Sequence, residues 1–264
     1  MSPFHRSTRA AAAAALAIAP LTLTLAVAPA AAAVAPALAF APAHHVSVST
    51  PSFLTHGFHV SNTTVTSTNW SGYAATGSTY TSVSTTYVQP SASCSGRSGT
   101  YAAFWVGLDG YSSSTVEQTG TMVYCNGSTA EYVGWYEMYP QGSNDYTNTV
   151  RAGDTIYESV KFSGTNVYTL VLQDKTRGWT QTKVVDASGD ARSSAEVIAE
   201  APYSGGVLPL ADFGTVSFTG SLVNGSNLSS FSPTTINMVS SSGAAEATTS
   251  AFSGDNFSIA WKSE

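Results

Sequence analysis

Side chains able to carry protons are distributed unevenly along this chain. All five histidines (His5, His44, His45, His56 and His59) precede residue 60. The remaining two hundred residues therefore cannot build a Ser–His–Asp or Cys–His hydrolase, and they lack the commonest zinc ligand. No D-T-G, D-S-G, P-loop or G-x-G-x-x-G motif occurs. Catalysis there, if any, falls to carboxylates, amides, hydroxyls and backbone groups. Three stretches collect them. Trp105–Gly120 (W-V-G-L-D-G-Y-S-S-S-T-V-E-Q-T-G) holds Asp109 and a mid-strand Gln118, which is either a satisfied core amide or a neutral donor to an oxyanion. In Gly134–Pro140 (G-W-Y-E-M-Y-P), Trp135, Glu137 and Tyr139 alternate onto one strand face. In Ala195–Glu200 (A-E-V-I-A-E), Glu196 and Glu200 share a face but sit about 13 Å apart, too far to share a proton with each other.

Strands must position these groups. Thr68–Ala75, Tyr80–Val88, Tyr101–Leu108, Thr115–Tyr124, Glu131–Tyr139, Thr155–Phe162, Asn166–Asp174 and Trp179–Val185 read as strands between Gly, Ser, Asn and Pro turns. Ala195–Glu200, Gly214–Phe218 and Phe257–Trp261 complete the set. About a dozen short strands with no long helical pattern imply an all-β, two-layer antiparallel β-sandwich of jelly-roll-like kind.

Composition narrows the class. The chain has 264 residues, 10% of them charged, and a formal net charge of −6. No basic stripe suggests a nucleic-acid partner. Few carboxylates and few cations leave little for acid to disrupt. Residues 1–33 read as a secretory signal: a basic start with Arg6 and Arg9, an apolar run broken by Pro20, then Ala-x-Ala sites near Ala32. Residues 34–60, rich in Ala, Pro, His and Ser, read as a pro-segment or linker whose four histidines could sense pH. Residues 61–264 make one domain, expected to be monomeric, secreted and extracellular, with no membrane anchor in the mature form. Cys94 and Cys125, the only cysteines of an exported chain, are expected to form a disulfide.

Taken together, N-W-S-G-Y-A from Asn69, F-W-V-G-L-D-G, E-Q-T-G, G-W-Y-E-M-Y-P, A-G-D-T-I and A-E-V-I-A-E resemble the glutamic peptidases, or eqolisins, in that family's order and spacing. The resemblance implies a sandwich with a concave, substrate-binding sheet and a pepstatin-insensitive acid endopeptidase acting on proteins or peptides. It implies Gln118 and Glu200 as the catalytic pair, with Trp70, Trp105, Asp109, Trp135, Glu137 and Tyr139 at cleft or support positions. Tyr139–Ser143 corresponds to a flap. No cofactor or metal is implied. Ala201-Pro202-Tyr203 and Val133 depart from the fungal pattern, as do the cysteine positions.

On this reading Glu200 is the general base for a water, Gln118 donates to the oxyanion, and Glu200 returns the proton to the leaving amine. Because an ordinary Glu titrates near about 4.3, hydrogen bonds are expected to lower Glu200 for work in acid. The rival is a β-sandwich glycoside hydrolase or carbohydrate-binding module using Glu137 with Glu200 or Glu117 beneath Trp135 and Trp105.

Overall fold

The computed structural model describes residues 64–264 together with a two-residue strand at 46–47. The expected signal and nearly all of the 34–60 segment, with its histidines, lie outside the described residues.

Strand alternation sets the framework. In chain order the strands are β1 (Val46–Ser47), β2 (Thr64–Ser67), β3 (Trp70–Thr76), β4 (Ser82–Val88), β5 (Tyr101–Leu108), β6 (Val116–Asn126) and β7 (Thr129–Tyr139). They continue as β8 (Asn144–Asp145), β9 (Thr155–Phe162), β10 (Val167–Asp174), β11 (Trp179–Asp186), β12 (Ser194–Glu200) and β13 (Thr215–Val223). The last are β14 (Ser226–Asn227), β15 (Thr234–Val239), β16 (Ala245–Thr249) and β17 (Phe257–Trp261). A single 3-10 turn, Leu228–Phe231, is the one helical element among the described residues. The all-β expectation holds, and every strand predicted from sequence is present. Thr64–Ser67, Thr234–Val239 and Ala245–Thr249 are additional strands that the sequence reading missed.

Pairing runs β8–β7–β6–β5–β12–β3–β15, and onward through β16, β17, β13, β4, β9 and β10 to β11. All of these are antiparallel; β2 alone joins β15 in parallel. The ladder folds over itself, so that β5, β6 and β12 pack against β4, β9 and β10. The burial pattern of β4, β9 and β10 alternates strictly, because one face meets this interior and the other meets solvent. β5, β6 and β12 are instead buried almost throughout, since both of their faces are covered.

Two apolar clusters follow from that difference. The larger fills the space between layers around Phe104, Val197, Leu170, Leu172 and Phe218. The smaller lies on the opposite face of the first layer, around Trp70, Trp105, Trp135, Met122 and Ile198. Cys94 and Cys125 are bonded as expected, tying the loop before β5 to the end of β6.

Candidate functional site

Register places the chemistry-bearing residues on one face. Glu200 stands opposite Trp70 on β3 and Ala103 on β5. One step along, Ile198, Trp105, Gly120 and Trp135 form the next row, and Glu196, Gly107, Gln118 and Glu137 the row beyond. Side chains two apart on a strand share a face, so Trp70, Trp105, Trp135, Gln118, Glu137, Glu196 and Glu200 all project to the side holding the smaller cluster. The glycines in these rows make room for the indoles. A Cβ on Gly120 would lie 2.1 Å from the Phe104 carbonyl oxygen and 2.7 Å from Trp105 Cβ. One on Gly107 would lie 2.9 Å from Trp105 Cζ3.

Glu200 is 3% exposed, and each of its oxygens accepts one hydrogen bond: Oε1 from Asn69 Nδ2 at 3.1 Å and Oε2 from Trp105 Nε1 at 2.8 Å. The Trp70 indole N–H also favours the charged form but makes no hydrogen bond of normal geometry. Asn69 is itself fixed. Its Oδ1 accepts from the Ser67 hydroxyl and its carbonyl from Ala201 N, while the amide N–H groups of Asn69 and Trp70 both donate to Ser67 Oγ. Asn69 opens the N-W-S-G-Y-A motif, and nothing in its sequence neighbourhood signals a role. It is a partner of Glu200 across 131 positions of chain.

The expected lowering of Glu200 does not occur. Burial raises its carboxyl from 4.5 to about 8, and the hydrogen bonds from Trp105 and Asn69 offset that only partly. The indoles that donate to the carboxylate also strip it of water, and the second effect is larger.

Gln118 Nε2 donates to Glu137 Oε2 at 2.6 Å. Burial, then the neighbouring charge of Glu200, push the Glu137 carboxyl up to about 9 against the Gln118 hydrogen bond. Gln118 and Glu200 are not bonded to each other; Glu137 lies between their influences, bonded to one and electrostatically coupled to the other. Gln118 Oε1 and Glu137 Oε1 are buried without a partner.

The remaining predicted positions divide by role. Asp109, fully buried with φ at 68°, accepts from the backbone N–H groups of Arg192 and Ser193 and from the Ser193 hydroxyl. It anchors the chain entering β12, which carries Glu196 and Glu200. Trp70 and Trp105 meet edge to face with centroids 5.0 Å apart. Tyr139 closes β7 at the rim, half-buried, before a cis peptide to Pro140. Beyond it the chain turns through a Gln141 N–H bond to the Met138 carbonyl and returns as β8, pairing Asp145 with Trp135. Met122 and Val133 continue the register row of Glu200 and Ala103. Among the described residues no group of three His, Cys, Asp or Glu side chains could hold a metal ion, and no helix is long and apolar enough to cross a membrane.

The chain is similar to known proteins. The chain is 33% identical over 178 residues to aspergillopepsin-2 of Aspergillus niger and 36% identical over 137 residues to scytalidopepsin B of Scytalidium lignicola. These matches cover 58% and 50% of this chain, and 63% and 51% of those relatives' length. Among solved structures it superposes on scytalido-glutamic peptidase bound to a transition-state analogue inhibitor, with a TM-score of 0.65 at 30% identity, over 74% of this chain and 98% of that one. Aspergilloglutamic peptidase from Aspergillus niger matches with a TM-score of 0.55 at 26% identity, over 62% of this chain and 99% of that one. The model of the peptidase A4 family matches residues 68–261, which takes in every strand of the cleft face from Trp70 to Glu200, and the chain belongs to that family.

Proposed function

We propose that this protein is a secreted, pepstatin-insensitive acid endopeptidase that cleaves peptide bonds in protein substrates with Glu200 and Gln118, needing no metal or cofactor. The observation carrying this reading is a buried carboxyl, fixed at both oxygens by Trp105 and Asn69, that shares a cleft face with an amide fixed by Glu137. Scytalido-glutamic peptidase has also been solved with a peptide-based transition-state analogue, which supports a peptide as the ligand.

Burial decides the order of proton transfers. With its carboxyl raised to about 8, Glu200 holds a proton in acid, so it must give one up before it can act as a base. It donates to the scissile carbonyl oxygen as water attacks the carbon, and the carboxylate so formed takes a proton from that water. Gln118 supplies an N–H to the same carbonyl oxygen, where negative charge would otherwise build up. The tetrahedral intermediate collapses when Glu200 protonates the leaving nitrogen and recovers a proton from one of the two hydroxyls. One water is consumed, and Glu200 ends protonated as it began.

The pairing of Glu137 with Glu200 gives the glycoside hydrolase reading its one supporting observation. That chemistry needs one carboxyl ionised while the other is protonated. Here burial pushes both up, and neither has a cationic partner among the described residues.

The test is digestion of acid-denatured haemoglobin at pH 3, with and without pepstatin, beside a polysaccharide panel. Wild type is expected to cleave protein only, and regardless of pepstatin. Glu200→Gln and Gln118→Ala, checked for folding by circular dichroism, are expected to lose activity. Near wild-type turnover in either folded variant defeats the assignment.

A further inference from the structure

An amide can serve as an oxyanion donor only if its orientation is fixed, because its oxygen and nitrogen ends are nearly the same shape. The cleft contains a device for this. Gln118 spends one N–H on Glu137 Oε2. That leaves two buried oxygens, Gln118 Oε1 and Glu137 Oε1, with no donor. Two buried acceptors left so are costly. A proton on Glu137 Oε1 donated to Gln118 Oε1 would relieve both, since a neutral carboxyl offers one acceptor and one donor, the complement of a carboxamide edge.

Resting on the Glu200–Gln118 reading, we infer that Glu137 is a positioning residue. Its protonated carboxyl and the Gln118 carboxamide form a two-bond ring that leaves the second Gln118 N–H as the amide's one free polar group, directed to the oxyanion.

The surroundings suit a neutral Glu137. On β12 the charge of Glu200 would oppose its own, and Glu196 lies in its register row. On β5 and β6 the groups beside it are Gly107, Trp105 and Gln118, none of which titrates. Tyr139 shares its face on β7, and Asp145 on β8 stands opposite Trp135, one step along the face. No Lys, Arg or His is paired with it among the described residues.

The role separates from simple substrate contact or packing in three variants assayed at pH 3. Glu137→Gln can form the same ring by amide–amide pairing, so its kcat should stay within about tenfold of wild type. Glu137→Leu and Glu137→Ala remove the ring. Their kcat should fall about 100-fold or more, the loss expected of a misdirected oxyanion donor, with KM changed less than about threefold. Should the apolar variants fail to fold, 13C-NMR of Glu-labelled wild type supplies the second readout. The resonance missing from Glu137→Gln should keep its protonated shift from pH 3 to pH 6.

A Glu137→Gln variant as weak as Glu137→Leu overturns the proposal. So does a Glu137→Leu effect confined to KM, or a Glu137 resonance that titrates near pH 4. Glu200→Gln and Gln118→Ala run alongside keep the two readings apart. Activity in those variants sinks the catalytic pair itself, whereas their inactivity together with an active Glu137→Leu sinks only the positioning role.

Discussion

Raising the pH out of the acid range should steadily destabilise this protein. Burial pushes Glu117 and Glu137 up to about 9 and Glu200 up to about 8, from an ordinary value of 4.5, and holds Glu158 and Glu196 well above it. Each is an acid whose folded-state pKa lies above its unfolded one. Its contribution is therefore complete below about pH 4.5 and is lost as pH climbs toward the folded value. Every such group costs about 1.4 kcal/mol per pH unit in that window. The first three alone give a slope of about 4 kcal/mol per unit between roughly pH 5 and 8. A domain stability of about 5–15 kcal/mol is exhausted within about four units at that rate. Glu131, lowered by Tyr124 and Asn126 near the surface, opposes this only in acid and weakly. Urea unfolding followed by tryptophan fluorescence from pH 3 to pH 7 should give a midpoint that is flat below about pH 4.5 and then falls steeply. Glu117→Gln, on the face of β6 opposite to Gln118, should reduce the slope by about 1.4 kcal/mol per unit. A midpoint that holds steady or rises between pH 4.5 and 7, or an unchanged slope in Glu117→Gln, refutes the reasoning.

Other outcomes follow from single contacts. Trp105→Phe removes the 2.8 Å bond to Glu200 Oε2, the largest influence opposing burial, so Glu200 should titrate at higher pH by 13C-NMR; a lower value contradicts the assignment. Gly120→Ala drives a Cβ to 2.1 Å from a backbone carbonyl, and a cost of about 3 kcal/mol or more should appear in the urea midpoint, with wild-type stability counting against the close-packed row. Replacing Cys94 and Cys125 together by Ala opens a loop of 31 residues and should cost about 3 kcal/mol at pH 4, while Ellman titration of unreduced wild type finds no thiol.

How legible the fold was depended on which faces were covered. Ser82–Val88, Thr155–Phe162 and Val167–Asp174 announce themselves because one face is solvated and burial alternates. Thr234–Val239 and Ala245–Thr249 went unseen. They are short, rich in Thr and Ala, and defined by pairing with β2, β3 and β17 rather than by their own pattern. Within the site, the shared face of Glu196 and Glu200, and that of Trp135 and Glu137, followed from period two alone. Gln118 and Glu200 as a pair came from family resemblance, since spacing could not bring β6 and β12 onto one face. Asn69 reads locally as a turn residue, and only the β3–β12 ladder carries it to Glu200. The direction of the Glu200 shift is illegible in the sequence for a related reason. Hydrogen-bond donors can be counted in a sequence, but desolvation belongs to the assembled strands that bury the carboxyl beside Trp70 and Trp105.

Those indoles connect the working range to the stability. A carboxyl meant to act as a base near neutral pH would be kept solvated or paired with a cation, and this chain has few cations to offer. Arg97 and Arg177 make all the ion pairs among the described residues, and neither touches the cleft face. With cations absent, the inexpensive way to hold several carboxyls in an apolar cleft is to keep them protonated, where each can donate as well as accept. Acid therefore does two things at once in this fold. It supplies the protons that let Glu117, Glu137, Glu158, Glu196 and Glu200 stay buried, and, under the proposed function, it leaves Glu200 loaded for the first proton transfer. Removing the protons takes away the reagent and the support together, so the loss of activity and the loss of structure on raising the pH should share one origin.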